Sequence, residues 1–184
     1  QTDTKASIDR DLSWFVPVSL FAIFLVLVVL LRSLVAPLYL VFSVIVSFGA
    51  TFGISIFVFQ VILSHSGVAY SNGVWMFIFL VALGADYNIF VMSRIREATR
   101  KHGLRVGIAV AVGRTGSVIT SAGIILAGTF AVLTTLPLRD LFQLGFAVML
   151  GVLIDTFVVR AFLVPSMTAM FGRWSWWPRT VNDT

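Results

Sequence analysis

Asp86 and Tyr87 stand side by side in VWMFIFLVALGADYNIFVMSRIR, residues 74–96, a run with no other charge before Arg94. An apolar run of about 20 residues is the length a helix needs to cross a bilayer. A carboxylate inside such a run is costly unless it faces protein or water and has a partner. Asp86 is therefore either a group that loads and releases a proton or ion, or a structural carboxylate capped by a neighbouring helix. For a relay, the membrane potential supplies about 2.3 kcal/mol per charge per 100 mV. Tyr87 follows about 100° around the helix, so it can point into the bundle interior without covering Asp86. Thr120 and Ser121 lie at a comparable depth on a later apolar run and are the expected hydrogen-bond partners of Asp86.

Asp155 is the second intramembrane carboxylate. Arg160 lies five residues on, about 140° around an α-helix, so the two are not expected to share a face. Asp155 would then pair with another helix or with backbone at a kink, as a structural or a functional group. Arg160 would snorkel to the membrane surface. No Gly-rich phosphate loop, metal cluster or nucleophile–base pair is present. Gly113–Gly116 (GRTG) is too short for a phosphate signature and reads as a turn between interface and span. An intramembrane protease would need a nucleophile and base at matched depth. Ser117, Ser121 and Asp86 are available, but no histidine lies in a span, and His65 reads as a solvated loop residue. No cofactor and no metal is expected.

The elements that must position these groups follow from composition. Of 184 residues, 59% are hydrophobic and 11% charged, with a mean hydropathy of +1.01. That is the membrane class, with too few charges to build a water-facing surface. Cysteine is absent, which excludes disulfides and cysteine–zinc sites. The net charge of +5 reads as cytoplasmic loop charge, not nucleic-acid binding. The chain starts at Gln1 with neither an initiator Met nor a signal peptide, which suggests a piece of something larger.

Five spans are expected, at about 12–31, 35–62, 74–92, 115–133 and 141–164. Pro17 and Pro37 fall near span starts, where a missing N–H costs least. Pro165 is expected to break the last span. Residues 104–114 follow the basic segment 93–103 and read as a short interfacial helix, anchored by Arg105 and Arg114. The loop at 64–73 and the turn at 134–140 complete the order. The fold class is an all-α membrane bundle of five transmembrane helices plus a short cytoplasmic interfacial helix. Small-residue spacing predicts that Gly49, Gly53, Gly123 and Ala127 face other helices, with Ser43 and Ser47 a further such pair. The fourth span, rich in small residues, reads as packed and not lipid-facing. With Gln1 outside, Arg32, the Arg94–Arg114 group, Arg173 and Arg179 fall inside, against Lys5, Arg10 and Arg139 outside. Trp14, Tyr70 and Trp75 would form the outer aromatic belt, and Trp174, Trp176 and Trp177 the inner one.

Several of these stretches resemble one family. GADYNIFVMSRIRE resembles the Asp-Tyr signature of the MmpL (mycobacterial membrane protein large) branch of the resistance–nodulation–division superfamily. RTGSVITSAGIILAGTFAVL resembles the span that follows it. DTFVVRAFLVP with GRWSWWP is similar to the last span and cytoplasmic exit, and FLVLVVLLRSLVAPLYL to the span after the second extracytoplasmic domain. The resemblance covers nearly the whole chain. It implies helices eight to twelve of a twelve-helix transporter, with residues 1–11 leaving the second porter domain and 173–184 forming a cytoplasmic tail. It implies a proton-motive-force-driven exporter of lipids or other hydrophobic compounds in a bacterial plasma membrane. Asp86 and Tyr87 would be the proton relay, with Thr120, Ser121 and Asp155 as relay partners. The implied partners are the bilayer, the N-terminal half of the same transporter, a lipid or hydrophobic substrate, and further copies of the full-length protein. The alternative is a regulatory membrane module similar to sterol-sensing domains, which share the helix layout without pumping. A titratable carboxylate in the third span favours transport.

Overall fold

A computed structural model describes residues 2–64 and 70–178. Among the described residues there is no strand, as an apolar span demands, since only a helix satisfies its own backbone polar groups in lipid. The helix α1 (Thr2–Leu31) ends at a tight turn where Arg32 takes a φ of 49°. Next, α2 (Val35–Phe57) runs into a π-wound stretch, Val58–Ile62. Then α3 (Tyr70–His102) continues through the basic segment expected to follow its span. Gly103, with a φ of 78°, turns the chain directly into α4 (Leu104–Leu133). The last span is composite: α5 (Arg139–Ile154), a π-wound stretch Asp155–Leu163, α6 (Val164–Phe171) and a 3₁₀ turn Gly172–Trp176. Four of these stretches are long and apolar enough to cross a membrane: Val35–Ile62, Asn72–His102, Leu104–Leu133 and Arg139–Trp176. Within α1, Val16–Leu31 is a shorter apolar helix. Residues 65–69 of the expected 64–73 loop, His65 among them, and Arg179 lie outside the described residues, whereas residues 70–73 are not loop but the first turn of α3.

Three expectations are corrected here. The separate interfacial helix at 104–114 does not exist, because Leu104–Leu133 is one helix of 30 residues. Gly113 and Gly116 each lower helix propensity by only about 1 kcal/mol, and without a proline the hydrogen-bond ladder runs on. Pro165 does not end the last span. It sits in the first turn of α6, directly after the π-wound stretch, where its missing N–H and its ring conflict least with the ladder. The small residues of α4 do not make it a packed helix all round. Thr115, Ile119, Gly123 and Ala127 form one buried stripe at four-residue spacing. Ser117, Ser121, Gly128 and Thr129 are exposed, as are Val118, Ile125 and Val132.

Close approach depends on a few glycines. A Cβ on Gly107 would overlap the Thr99 backbone, so this residue sets the tight α3–α4 hairpin. One on Gly123 would overlap the Thr156 side chain, and one on Gly151 the Leu80 side chain. Gly49 and Gly53, by contrast, are exposed, and nothing lies within 4 Å of where their Cβ would be. The expected contact is not made among the described residues, because α2 turns its hydroxyl-bearing side to the core instead. Tyr39, Ser43, Ser47, Thr51 and Ser55, four residues apart, are all buried, and Phe59 extends the same stripe.

One end of the bundle is tied by the exit turn. The Ser33 hydroxyl donates to the Ser175 carbonyl at 2.6 Å, and the Leu34 N–H to the Trp177 carbonyl at 2.9 Å. Arg96 donates to the Leu31 carbonyl at 3.1 Å and lies 5.5 Å from the Trp176 ring centre. Trp176 is only 1% exposed, so it is a core plug and not a member of an aromatic belt; Trp174 and Trp177 are exposed. The apolar contacts Leu27, Leu40, Met92, Ile95 and Val164 belong to the same cluster as Trp176. The other cluster, toward the opposite end, centres on Met76, Leu80, Val148 and Val152.

Candidate functional site

Consecutive residues of α3 point to different sides of the helix, and this separates Asp86 from Tyr87. Asp86 is exposed and opens into a cleft of about 330 Å³ between α1 and α3. Ser19, Ile23 and Val26 of α1 line that cleft, with Phe77, Ala82 and Asp86 of α3. Among the described residues, Asp86 makes no hydrogen bond and no ion pair. Its surroundings are almost wholly apolar, so the carboxylate stands bare on an oily face.

Tyr87 faces the other way, toward the composite last span. The Arg160 guanidinium lies 4.1 Å from its ring centre, a close cation–π contact. Arg160 is ion-paired to Asp155 and also donates to the Leu83 carbonyl at 3.4 Å. Both members of the pair are buried, Asp155 at 6% and Arg160 at 5% exposure. This corrects the expectation that they lie on separate faces and that Arg160 snorkels outward. The stretch Asp155–Leu163 is π-wound, bonding i to i+5, so residues five apart come onto nearly the same face. Opposite charges at a five-residue spacing are the sequence signal for such a pair, since an α-helix would place them three or four apart.

The hydroxyls expected to meet Asp86 do not reach it. Thr120 lines a small hollow of about 50 Å³ with Thr115, Thr156 and Arg160, on the Arg160 side of α3. Ser121 is exposed and donates its hydroxyl to the Val118 carbonyl at 3.0 Å. The reason is lateral: depth along the spans matches, but α1 occupies the Asp86 side while α4 packs elsewhere on α3. The structure thus brings together Tyr87, Arg160, Asp155 and, around the hollow, Thr120 and Thr156. It leaves Asp86 and Ser121 apart from them.

Asn88 is a further polar group of the same region. It is fully buried, and neither atom of its side-chain amide has a hydrogen-bond partner among the described residues. Its helical neighbours Gly84 and Met92 both meet α2, at Val44 and Tyr39 respectively, which places Asn88 on the side of α3 that faces α2. The Tyr39 hydroxyl in turn lies 3.0 Å from that of Thr168. The four-residue hydroxyl period of α2 is legible in the sequence and is the signal for this buried polar side.

An all-helical bundle with apolar spans, a bare carboxylate on one side of its central helix and a buried ion pair on the other is a multi-pass membrane domain with ionisable groups inside its spans. More particularly, the chain belongs to the MMPL family, whose model matches residues 1–184. It is 46% identical over 176 residues to ActII-3 of Streptomyces coelicolor, named a membrane protein, covering 96% of this chain and 25% of that one. It is 43% identical over 176 residues to MmpL12 of Mycobacterium tuberculosis, named a probable transport protein, covering 96% of this chain and 15% of that one. It is 44% identical over 176 residues to the apo-petrobactin exporter of Bacillus anthracis, covering 96% of this chain and 24% of that one. The chain thus spans a quarter or less of the length of these relatives. It is a bacterial multi-pass membrane protein.

Proposed function

We propose that this chain is the C-terminal membrane domain of a proton-motive-force-driven exporter of lipids or other hydrophobic compounds, with Asp86 and Tyr87 as its proton relay. In this reading residues 1–11 leave an extracytoplasmic porter domain, 12–172 form the membrane domain and 173–184 the cytoplasmic tail. The names of the relatives support export, and one observation carries the relay. Asp86 stands exposed on an apolar face, with no hydrogen bond or ion pair among the described residues, which lipid would not tolerate. That face is therefore turned toward water or toward the N-terminal half of the same transporter. There the carboxyl can take up a proton on one side and release it on the other as the bundle changes shape. Tyr87 sits one residue on and is held from behind by Arg160, which Asp155 anchors in turn. Asp155 acts here as a positioning residue.

The test is proton-driven substrate efflux from membrane vesicles containing the full-length protein. Asp86→Asn keeps size and hydrogen bonding but cannot titrate, so efflux should be lost while expression and folding stay close to normal. Tyr87→Phe keeps the ring under Arg160 and removes only the hydroxyl, so it should weaken efflux less severely. Near-wild-type efflux from a folded Asp86→Asn variant would overturn the relay.

A further inference from the structure

We infer that the groove between α3 and α4 at the basic end of the bundle is a binding site for the headgroup of an anionic phospholipid. The groove has a volume of about 280 Å³ and is lined by Phe90, Arg94, Glu97, Lys101, Arg114 and Val118, among others. Arg94 is the first charge on α3 after Asp86, and Arg114 is the last charge on α4 before the apolar run to Leu133. Both line the same groove, so the groove lies where the charged ends of two neighbouring helices give way to apolar surface. That is the level of lipid headgroups.

The charge is of the right sign. Glu97 accepts from Arg94 at 3.1 Å and from Lys101 at 3.1 Å, which holds both cations at the rim. Arg114 has no ion pair or hydrogen bond among the described residues. Three cations against one carboxylate leave a formal excess of two positive charges. Basic pockets between membrane helices hold acidic headgroups in this way.

The surface beside the groove selects a lipid over a free phosphate ion. Val118 and Ile125 follow Arg114 by four and eleven residues, on the same side of α4, and both are exposed. They form an apolar shelf leading away from the cations, along which acyl chains can lie. Phe90 closes the groove on the α3 side, with the Arg94 guanidinium 5.6 Å from its ring centre.

The experiment is native mass spectrometry of the full-length protein in detergent, with phosphatidylglycerol and phosphatidylcholine added at equal concentration. Phosphatidylglycerol should be retained preferentially. Arg114→Gln should lower its retention about fivefold, the expected effect of one cation at an acidic lipid. The double variant Arg94→Gln/Arg114→Gln should lower it further. Arg105→Gln, an exposed cation of α4 outside the groove, should leave retention unchanged, and Arg114→Lys should keep most of it. Millimolar inorganic phosphate should not displace the lipid. Equal retention of the two lipids would overturn the inference, as would an equal loss in Arg105→Gln. Displacement by phosphate alone would do the same, and so would a loss in Arg114→Lys as large as in Arg114→Gln.

Discussion

The buried pair Asp155–Arg160 makes a prediction whose size follows from the structure. The side chains are 9% and 4% exposed, so neither charge has water to fall back on. Removing one member of such a pair strands the other, at a cost of about 3–5 kcal/mol. Arg160→Met additionally removes the guanidinium from the Tyr87 ring, worth up to about 2 kcal/mol when desolvated. Asp155→Leu leaves a buried guanidinium whose remaining partners among the described residues are the Leu83 carbonyl and the Tyr87 ring. The double variant Asp155→Leu/Arg160→Met strands no charge, and similar replacements of whole buried pairs are often neutral or stabilising. It should therefore lie close to wild type, less the Tyr87 contact, with a coupling energy of about 3 kcal/mol or more. The assay is equilibrium unfolding of the full-length protein in mixed micelles, followed by circular dichroism. Single variants costing less than about 1 kcal/mol, or a double variant equal to the sum of the singles, would refute the view that these two charges depend on each other.

Two further substitutions probe the packing. Gly123→Leu drives a side chain into Thr156 and should cost about 1–3 kcal/mol by overpacking, whereas Gly128→Leu on the open side of α4 should change stability by less than about 0.5 kcal/mol. Equal costs in the same unfolding assay would show that the α4 stripe is misplaced. Trp176→Ala removes the plug under Arg96 and should cost about 3–5 kcal/mol, releasing the exit turn from Ser33 and Leu34. Faster limited proteolysis of the C-terminal tail is the expected sign, and wild-type protection would count against it.

What the sequence alone determined is what lies along one dimension. The apolar runs, the scarcity of charge and the carboxylate at Asp86 are properties of order and composition, and lipid leaves such runs few options besides helix. The adjacent Asp86 and Tyr87 and the basic clusters are read the same way, and the MMPL family match extends over the whole sequence, residues 1–184. Tertiary structure decided what lies around the helix axes. Depth put Thr120 and Ser121 level with Asp86, but only packing shows that α1 takes that side of α3 and leaves Thr120 beside Arg160. Trp176 carries the same local pattern as its exposed neighbours and is buried because the exit turn folds back onto Ser33. The continuity of α4 and the passage of the last span through Pro165 depend on hydrogen-bond ladders that composition does not count. Most of all, the Asp155–Arg160 pair exists because a nine-residue stretch is wound as a π-helix. Each residue of an α-helix turns the next by about 100°, so a local change of winding re-aims every side chain beyond it, and only the packed neighbours fix which winding the chain adopts.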